Sequence, residues 1–504
     1  MKKICILGGG TAGWMTACLM AKHWRNRQTA SPAEKVQITL IESDKIPSVG
    51  VGEGSTPQLK KLFDTLDISE QEWMPACHAT YKNGIRFVDW STRTGFKQYF
   101  HPFPAQVDDH TVPGFFHNSF LIRKGIDLNA HPDHFFLTTH LAAQNKAPIS
   151  AANFPFEVNY GYHFDAAKVA RILKSKAQQL GVLVVNATIE HVEQDIAGNI
   201  NQLVAQDGQT FSADYFVDCS GFQSLLLQQS LAVPFQSFAN NLFNDKAVVL
   251  SVPRNKHQPL MSQTVSTALK HGWMWQIPLQ HRTGFGYVYS SRYTGAEQAE
   301  QELRTRLNVE ASDISARHIN MRVGQVDKHW YKNCVAIGLS QGFIEPLEAT
   351  ALHIVQEGIE GFIDALSKGG FSNQLQAEYN QQMTARFNAI RDYIVAHYKL
   401  NTRSDTLYWR DNAANQNLSD SLQHILKTWF SGQNLSDELT RQQIDKYYPS
   451  VSWHCLLAGY GHFPEKSQLI EGNDFAKQYS IDKIQQFIHA CGLNYPSQAQ
   501  ALGM

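Results

Sequence analysis

Gly8, Gly10 and Gly13 spell G-x-G-x-x-G directly after the apolar run of residues 3–7 and at the head of a helix-forming stretch, residues 11–23. Glycines at that spacing let bare backbone amides at a helix N-terminus close on a pyrophosphate. A second apolar run, residues 36–41, ends at Glu42, a carboxylate suited to ribose hydroxyls. The gap from the glycines to Glu42 is longer than usual, and the polar stretch of residues 26–35 accounts for it. Asp218-Cys-Ser-Gly221 closes another strand and Cys334-Val-Ala-Ile-Gly338 a third. Three strand ends suit a long dinucleotide such as FAD better than NAD. No second G-x-G-x-x-G exists to hold a nicotinamide, so electrons must come from outside, through free reduced flavin or a partner reductase.

Other residues carry chemistry only in context. Taken alone, Lys82 is an ordinary surface lysine ahead of an alternating strand. Trp273 and Trp275, two apart, share one face of a strand and pack a core equally well as they guard a site. Glu348 is a carboxylate of the kind favoured in a helix's first turn, and the amides near Thr350 and Ala351 make that helix start an anion site. His101-Pro-Phe103 is either a structural loop or a pair of rings that sandwiches a planar substrate.

The elements that position these residues read as α/β. Residues 3–7 and 36–41 are strands flanking a helix, and residues 165–181 form an N-capped helix leading to a strand at 182–185. Asp207-Gly208 is a hairpin turn, and residues 215–218 a strand. Strand-like alternation runs over about 235–323, a second β layer. From 347 onward apolar residues recur at helical spacing: Ala351, Val355, Ile359, Phe362 and Leu366 up to Gly369-Gly370, then Met383, Phe387, Ile390 and Ile394. The expected division is an FAD-binding box with inserted β layer over 1–360 and a mainly helical substrate module over 361–504.

Composition narrows the class. The 504 residues allow about three units by length. A net charge of −1 without blocks of like charge argues against a nucleic-acid partner, and 43% hydrophobic residues exclude a disordered chain. The seven cysteines are scattered, with no C-x-x-C, so neither a disulfide framework nor a metal site is expected. Glycines break the apolar start and no stretch reaches membrane-spanning length, so a soluble cytoplasmic protein without a membrane partner is the expectation.

Several separated motifs together resemble the flavin-dependent tryptophan halogenases: GGGTAGW at 8–14, GVGEGSTP at 50–57, Tyr81-Lys82 before IRFVDW, VDCSGF at 217–222, WMWQIP at 273–278 and PLEAT at 346–350. The resemblance runs from Ile4 to about Gly461. It implies a glutathione-reductase-type, Rossmann-like FAD domain resembling single-component flavoprotein monooxygenases, with a β layer and a C-terminal helical module. In such enzymes reduced FAD, dioxygen and chloride or bromide yield hypohalous acid, which travels an internal tunnel to an aromatic substrate. Carried over by motif, Lys82 activates hypohalous acid and Glu348 orients it or takes the proton of the cationic ring. Gly8, Gly10, Thr11, Ala12, Gly13, Glu42, Val51, Gly52, Ser220, Gly338 and Phe343 fall at cofactor positions. Thr350 and Ala351 fall at the halide, although Ala349 and Ala351 replace the family's usual Ser and Gly. Trp273 and Trp275 screen the flavin from bulky substrate, while His101 and Phe103 sandwich the indole ring. Tyr447 and Tyr448 stand where a Phe-Trp pair completes the aromatic box.

Where the tryptophan enzymes have a Tyr-Tyr pair and a Glu for the amino-acid head group, this chain has Ser436, Asp437 and Gln443. Free indole or a substituted indole is therefore expected rather than free tryptophan. The resemblance further implies a separate NADH-dependent flavin reductase and leaves open a homodimer. Rival readings are a flavin-dependent aromatic hydroxylase, which Lys82 and the tryptophan pair argue against, and a non-catalytic flavin sensor, which the presence of Lys82 and Glu348 argues against.

Overall fold

The computed structural model describes residues 1–28, 35–46 and 52–504. Val51, Gly50 and most of the polar stretch after residue 26 lie outside the described residues or have no described side chain. The chain forms two compact units, each assembled from three segments: Met1–Ala79, Phe164–Phe238 and Arg322–Asn388 in the first, and Thr80–His163, Ala239–Met321 and Ala389–Met504 in the second. A linear cut near residue 360 is a different partition, because the chain leaves and re-enters each unit.

The first unit is built on a six-stranded sheet in the order Trp330–Tyr331, Cys334–Ala336, Tyr215–Asp218, Lys2–Leu7, Val36–Glu42, Leu183–Asn186. All neighbours are parallel except the first pair. Ile4, Ile6, Leu40, Phe216 and Val335 are buried, the continuous apolar character that a sheet covered on both faces requires. Helix Thr11–Gln28 packs beside helices Ala166–Gln179 and Ala351–Lys368. Helix Ala166–Gln179 begins where the sequence indicates, with the Asp165 carboxylate accepting from the Lys168 amide. Asp207 and Gly208, the latter at φ +82°, turn the hairpin between Ile200–Ala205 and Thr210–Ser212.

Buried Asp218 ties this unit together after its strand. Its carboxylate accepts from the Ser220 amide and hydroxyl, the Ser224 hydroxyl, and the amides of Leu226 and Leu227 at 2.9 Å each. Those last two amides open a wide helical turn, Leu225–Ser230, whose orphan donors need an acceptor.

The second unit holds a seven-stranded sheet in the order Arg317–Asn320, Lys246–Pro253, Arg282–Tyr289, Gly272–Pro278, Thr264–Leu269, Gly84–Val88, Gln98–Pro102. Only the pairing of Gly84–Val88 with Thr264–Leu269 is parallel. Two details differ from the continuous β layer expected over 235–323. Helix Ala296–Leu307 interrupts it, burying Ala299 and Leu303, one turn apart, against Val248, Leu250 and Tyr287. Strand Phe235–Ser237 pairs instead with Gly324–Val326 in a small sheet of the first unit. Helices dominate after residue 389, among them Leu407–Ala414, Asp420–Phe430, Ser450–Gly459 and Ile481–Gly492. Helix Ser450–Gly459 presses on strand Gln98–Pro102 at Gly459, where a Cβ would lie 2.3 Å from the Tyr99 ring. No helix among the described residues is long and apolar enough to cross a membrane.

Replacing Asp218 with Ala strands the Leu226 and Leu227 amides and should destabilise the protein by about 3 to 5 kcal/mol. Chemical denaturation followed by circular dichroism checks this as a lowered midpoint.

Candidate active site

The glycine turn of the first unit divides its labour. A Cβ on Gly8, which sits at φ +122°, would lie 2.2 Å from the Cys219 carbonyl oxygen, and one on Gly13 would lie 1.9 Å from the Gly8 carbonyl oxygen. Those two glycines permit backbone to touch backbone. A Cβ on Gly10 would meet nothing within 4 Å. The middle glycine thus leaves a bare backbone face open at the head of helix Thr11–Gln28, where a pyrophosphate would be held. Thr11 and Ala12 form the first turn of that helix, and Gly338, at φ +77°, comes so close that its Cβ would lie 2.8 Å from that of Ala12.

Glu42 sits against the same turn. Its Oε1 accepts from Lys174 Nζ at 2.5 Å, and a Cβ on Gly9 would lie 2.5 Å from its Oε2. Lys174 is also 5.7 Å from the centre of the Trp14 ring. These residues fit FAD: an open amide face for the diphosphate and a fixed carboxylate for the ribose. Ser220 is less available than its position suggests, because its hydroxyl donates to Asp218 at 2.6 Å and accepts from the Leu225 amide at 2.8 Å. Gly52 lies in the short strand Gly52–Gly54, and Phe343 meets Phe222 edge to face at 5.7 Å.

Glu348 is buried but is not in a helix's first turn. Pro346–Glu348 is a separate 3-10 turn, and Ala349 at φ +56° reverses the chain before helix Ala351–Lys368 starts. Thr350 occupies the N-cap position without a side-chain cap bond, and Ala351 is the first helical residue. The helix therefore presents its positive end at the residues expected to meet halide.

Lys82 belongs to the second unit, and it is fully buried rather than on the surface. Its strand, Thr80–Lys82, runs antiparallel to Gly161–Asp165, with Thr80 opposite His163 and Lys82 opposite Gly161. The Lys82 ammonium stands 5.3 Å from the centre of the Phe103 ring, within cation–π range. The backbone enforces that meeting, since the Phe103 amide donates to the Asn83 carbonyl at 3.0 Å. Asn83 is itself fixed, its amide donating to the Ser262 carbonyl and its side chain to Ser262 Oγ and the Lys146 carbonyl. Gln498 Nε2 donates to the carbonyls of Tyr81 and Met261, at 2.9 and 3.0 Å.

His101 lies on strand Gln98–Pro102 opposite Ile85 of strand Gly84–Val88, its Nε2 at 2.9 Å from Ser452 Oγ. Tyr393 backs it with ring centres 6.1 Å apart, donates its hydroxyl to the Ser452 carbonyl, and stacks on Tyr448 at 3.7 Å and 7°. Tyr448 is thereby part of a layered aromatic wall. Tyr447 is half-buried, with the Lys446 ammonium 5.1 Å from its ring centre.

Trp273 and Trp275 sit side by side on strand Gly272–Pro278, ring centres 6.0 Å apart. Room for them comes from small cross-strand partners: Ala268 beside Trp273, and Ser266 and Gly286 beside Trp275. A Cβ on Gly286 would lie 1.9 Å from the Trp275 indole.

Three positions expected in place of the head-group clamp are engaged elsewhere or turned outward. Ser436 shares a 2.6 Å hydrogen bond with Ser450, Asp437 lies in the first turn of helix Leu435–Arg441, and Gln443 is exposed at φ +57°.

Sequence reasoning missed three residues of note. Glu53, inside the motif at 50–57, has its carboxyl pushed up to about 7 by burial. His163 lies beside Lys82 with burial, reinforced by the lysine's charge, pushing its pKa well below the ordinary imidazole value. Tyr393 carries the aromatic wall. The motif around Glu53 was the one available signal, since the other two depend on distant partners.

A family model for tryptophan halogenase matches residues 3–473. The tryptophan 6-halogenase SttH of Streptomyces toxytricini is 35% identical over 91% of this chain and 89% of its own length. The tryptophan 7-halogenase RebH of Lentzea aerocolonigenes is 32% identical over 92% of this chain and 90% of its own. The solved structure of BrvH, a flavin-dependent halogenase from Brevundimonas sp. BAL3, superposes with a TM-score of 0.85 at 31% identity, covering 100% of this chain and 99% of that one. The chain is therefore a flavin-dependent halogenase, an oxidoreductase using FAD and halide on an aromatic substrate. It belongs to the flavin-dependent tryptophan halogenase family.

The glycines separate binding from folding. Gly10→Ala should leave the melting temperature nearly unchanged and weaken FAD binding at least about tenfold, a loss of roughly 1.4 kcal/mol, as read by flavin fluorescence titration. Gly13→Ala should lower the melting temperature of the flavin-free chain itself, by the kind of overpacking that costs about 1 to 3 kcal/mol.

Proposed function

We propose that the chain halogenates free indole or a simple substituted indole, using FAD delivered reduced by a separate NADH-dependent flavin reductase in the cytoplasm. The observation that carries this reading is the buried Lys82 ammonium beside Phe103, with His101, two residues before Phe103, held by Ser452. A lysine removed from water and facing an aromatic ring is placed to direct an electrophile at a stacked arene.

With FAD bound and reduced, the net chemistry supplied is FADH2 + O2 + X− + H+ → FAD + HOX + H2O. Lys82 then passes a proton to the oxygen of hypohalous acid as the X–O bond breaks and C–X forms, so the oxygen leaves as water, and the proton later released from the ring restores the ammonium. Glu348 takes up the ring proton, giving HOX + ArH → ArX + H2O overall. His101 and Phe103 fix which ring carbon is presented, and Trp273 and Trp275 restrict passage to small species.

The proposal for indole over tryptophan rests on the head-group positions. Ser436 is bonded to Ser450, and Asp437 and Gln443 do not reproduce the Tyr-Tyr and Glu set. Free tryptophan is the second reading, favoured by the names of SttH and RebH.

Two experiments follow. Lys82→Ala, supplied with a flavin reductase, NADH, FAD and bromide, should lose halogenated indole below detection while still binding FAD and releasing peroxide; wild-type product formation would overturn the assignment. In a competition under identical conditions, indole should be consumed faster than tryptophan, since losing a clamp of two or three charge-assisted bonds at about 1.5 to 3 kcal/mol each weakens amino-acid binding by orders of magnitude. Bromination is expected at the 3-position of the pyrrole ring, the most nucleophilic carbon. Faster consumption of tryptophan, read by mass spectrometry, would favour the second reading.

A further inference from the structure

Behind Lys82 lies a hydrogen-bonded chain with a definite direction. Thr80 Oγ1 donates to the Pro278 carbonyl at 2.7 Å, so toward His163 Nδ1, 3.0 Å away, it can only accept. Nδ1 therefore carries the ring proton. Nε2 lies 2.9 Å from the Thr264 hydroxyl, which can donate to its lone pair. The chain runs Thr264 O–H to His163 Nε2, His163 Nδ1–H to Thr80 Oγ1, and Thr80 O–H to the Pro278 carbonyl. Each hydrogen is used once, which is the pattern of a neutral imidazole.

The placement relative to Lys82 follows from strand geometry. Thr80 and Lys82, two apart, share one face of their strand, and His163 stands directly opposite Thr80 on that face. Gly161 opposite Lys82 adds no side chain beside the ammonium. Around His163, the strand of Thr264 contributes a hydroxyl and the strand ending at Pro278 a carbonyl. Lys82 is the charged group whose field acts on the ring. A protonated His163 would place two positive charges together in a site closed to water.

We propose that His163 is a positioning residue for halogen transfer: locked between Thr264 and Thr80 as a neutral ring, it holds the strand of Lys82 to the end of the Trp273–Pro278 motif and keeps a second positive charge from displacing the lysine. This rests on the role proposed for Lys82. The feature unites the lysine strand with the tryptophan strand, because Thr80 belongs to one and Pro278 closes the other.

The test uses the full chain with FAD, a flavin reductase, NADH, bromide and indole, in the presence of excess cyclic 1,3-diketone to trap hypobromous acid that escapes. His163→Phe, similar in volume but without ring nitrogens, should lower trap-resistant bromoindole at least tenfold. The sum of bromoindole and trapped bromine should stay within twofold of wild type, which a general loss of folding would not allow. His163→Asn, whose amide can still donate to Thr80, should recover several-fold over Phe. Thr80→Val breaks the chain without changing volume and should reproduce the Phe result, deciding the matter should His163→Phe not fold. Wild-type trap resistance in Thr80→Val, or in a folded His163→Phe, overturns the proposal so long as Lys82→Ala loses it. Trap-resistant bromination in Lys82→Ala would instead remove the Lys82 reading, and this proposal with it.

Discussion

A fully buried ammonium is costly, because an ion taken out of water loses several kcal/mol of solvation that only fixed dipoles and close partners can return. Lys82 imposes that requirement on the second unit, and much of the unit answers it. The Phe103 ring lies over its ammonium, and the Phe103 amide is tethered to the Asn83 carbonyl, so the ring and the strand after Lys82 are held together. Asn83 and Gln498 extend the hold to the segments around Ser262, Lys146 and Met261.

The aromatic wall answers a second demand. His101 is held in one orientation by the contact of its Nε2 with Ser452. Ser452 is in turn fixed by the Tyr393 hydroxyl on its carbonyl, and Tyr393 by a near-parallel stack on Tyr448. The wall is thus built from ring stacking and from hydrogen bonds at Ser452 rather than from charge.

How far the sequence reveals all this depends on the range of the interactions. The glycine turn and its strands are local, and residues 8–13 with Glu42 announce a nucleotide site in the spacing alone. Parallel strands covered on both faces show as apolar runs, so the α/β architecture is legible from single segments. Helix Ala296–Leu307 escaped because it buries little more than Ala299 and Leu303, too weak a stripe against its Glu and Gln content. The burial of Lys82 is invisible in isolation and was accessible only through motif resemblance. His163 stayed hidden because its partners lie 83 and 101 positions away, at Thr80 and Thr264. The 3-10 turn at Glu348 was read as helix because Pro-Leu-Glu is good helix-start composition, and only the left-handed Ala349 separates the two.

The side chain of Gln498 bonds the carbonyl of Tyr81 across 417 positions of sequence. A ribosome releasing the chain in order therefore makes the lysine strand early and its stitch late, with the tryptophan strand and the segment of Tyr448 emerging between. During that interval the nascent unit exposes apolar strands whose partners do not yet exist, a state in which long-range β pairing is slow and self-association competes. Production of active enzyme should then be governed by synthesis temperature and chaperone supply more than by the stability of the finished fold.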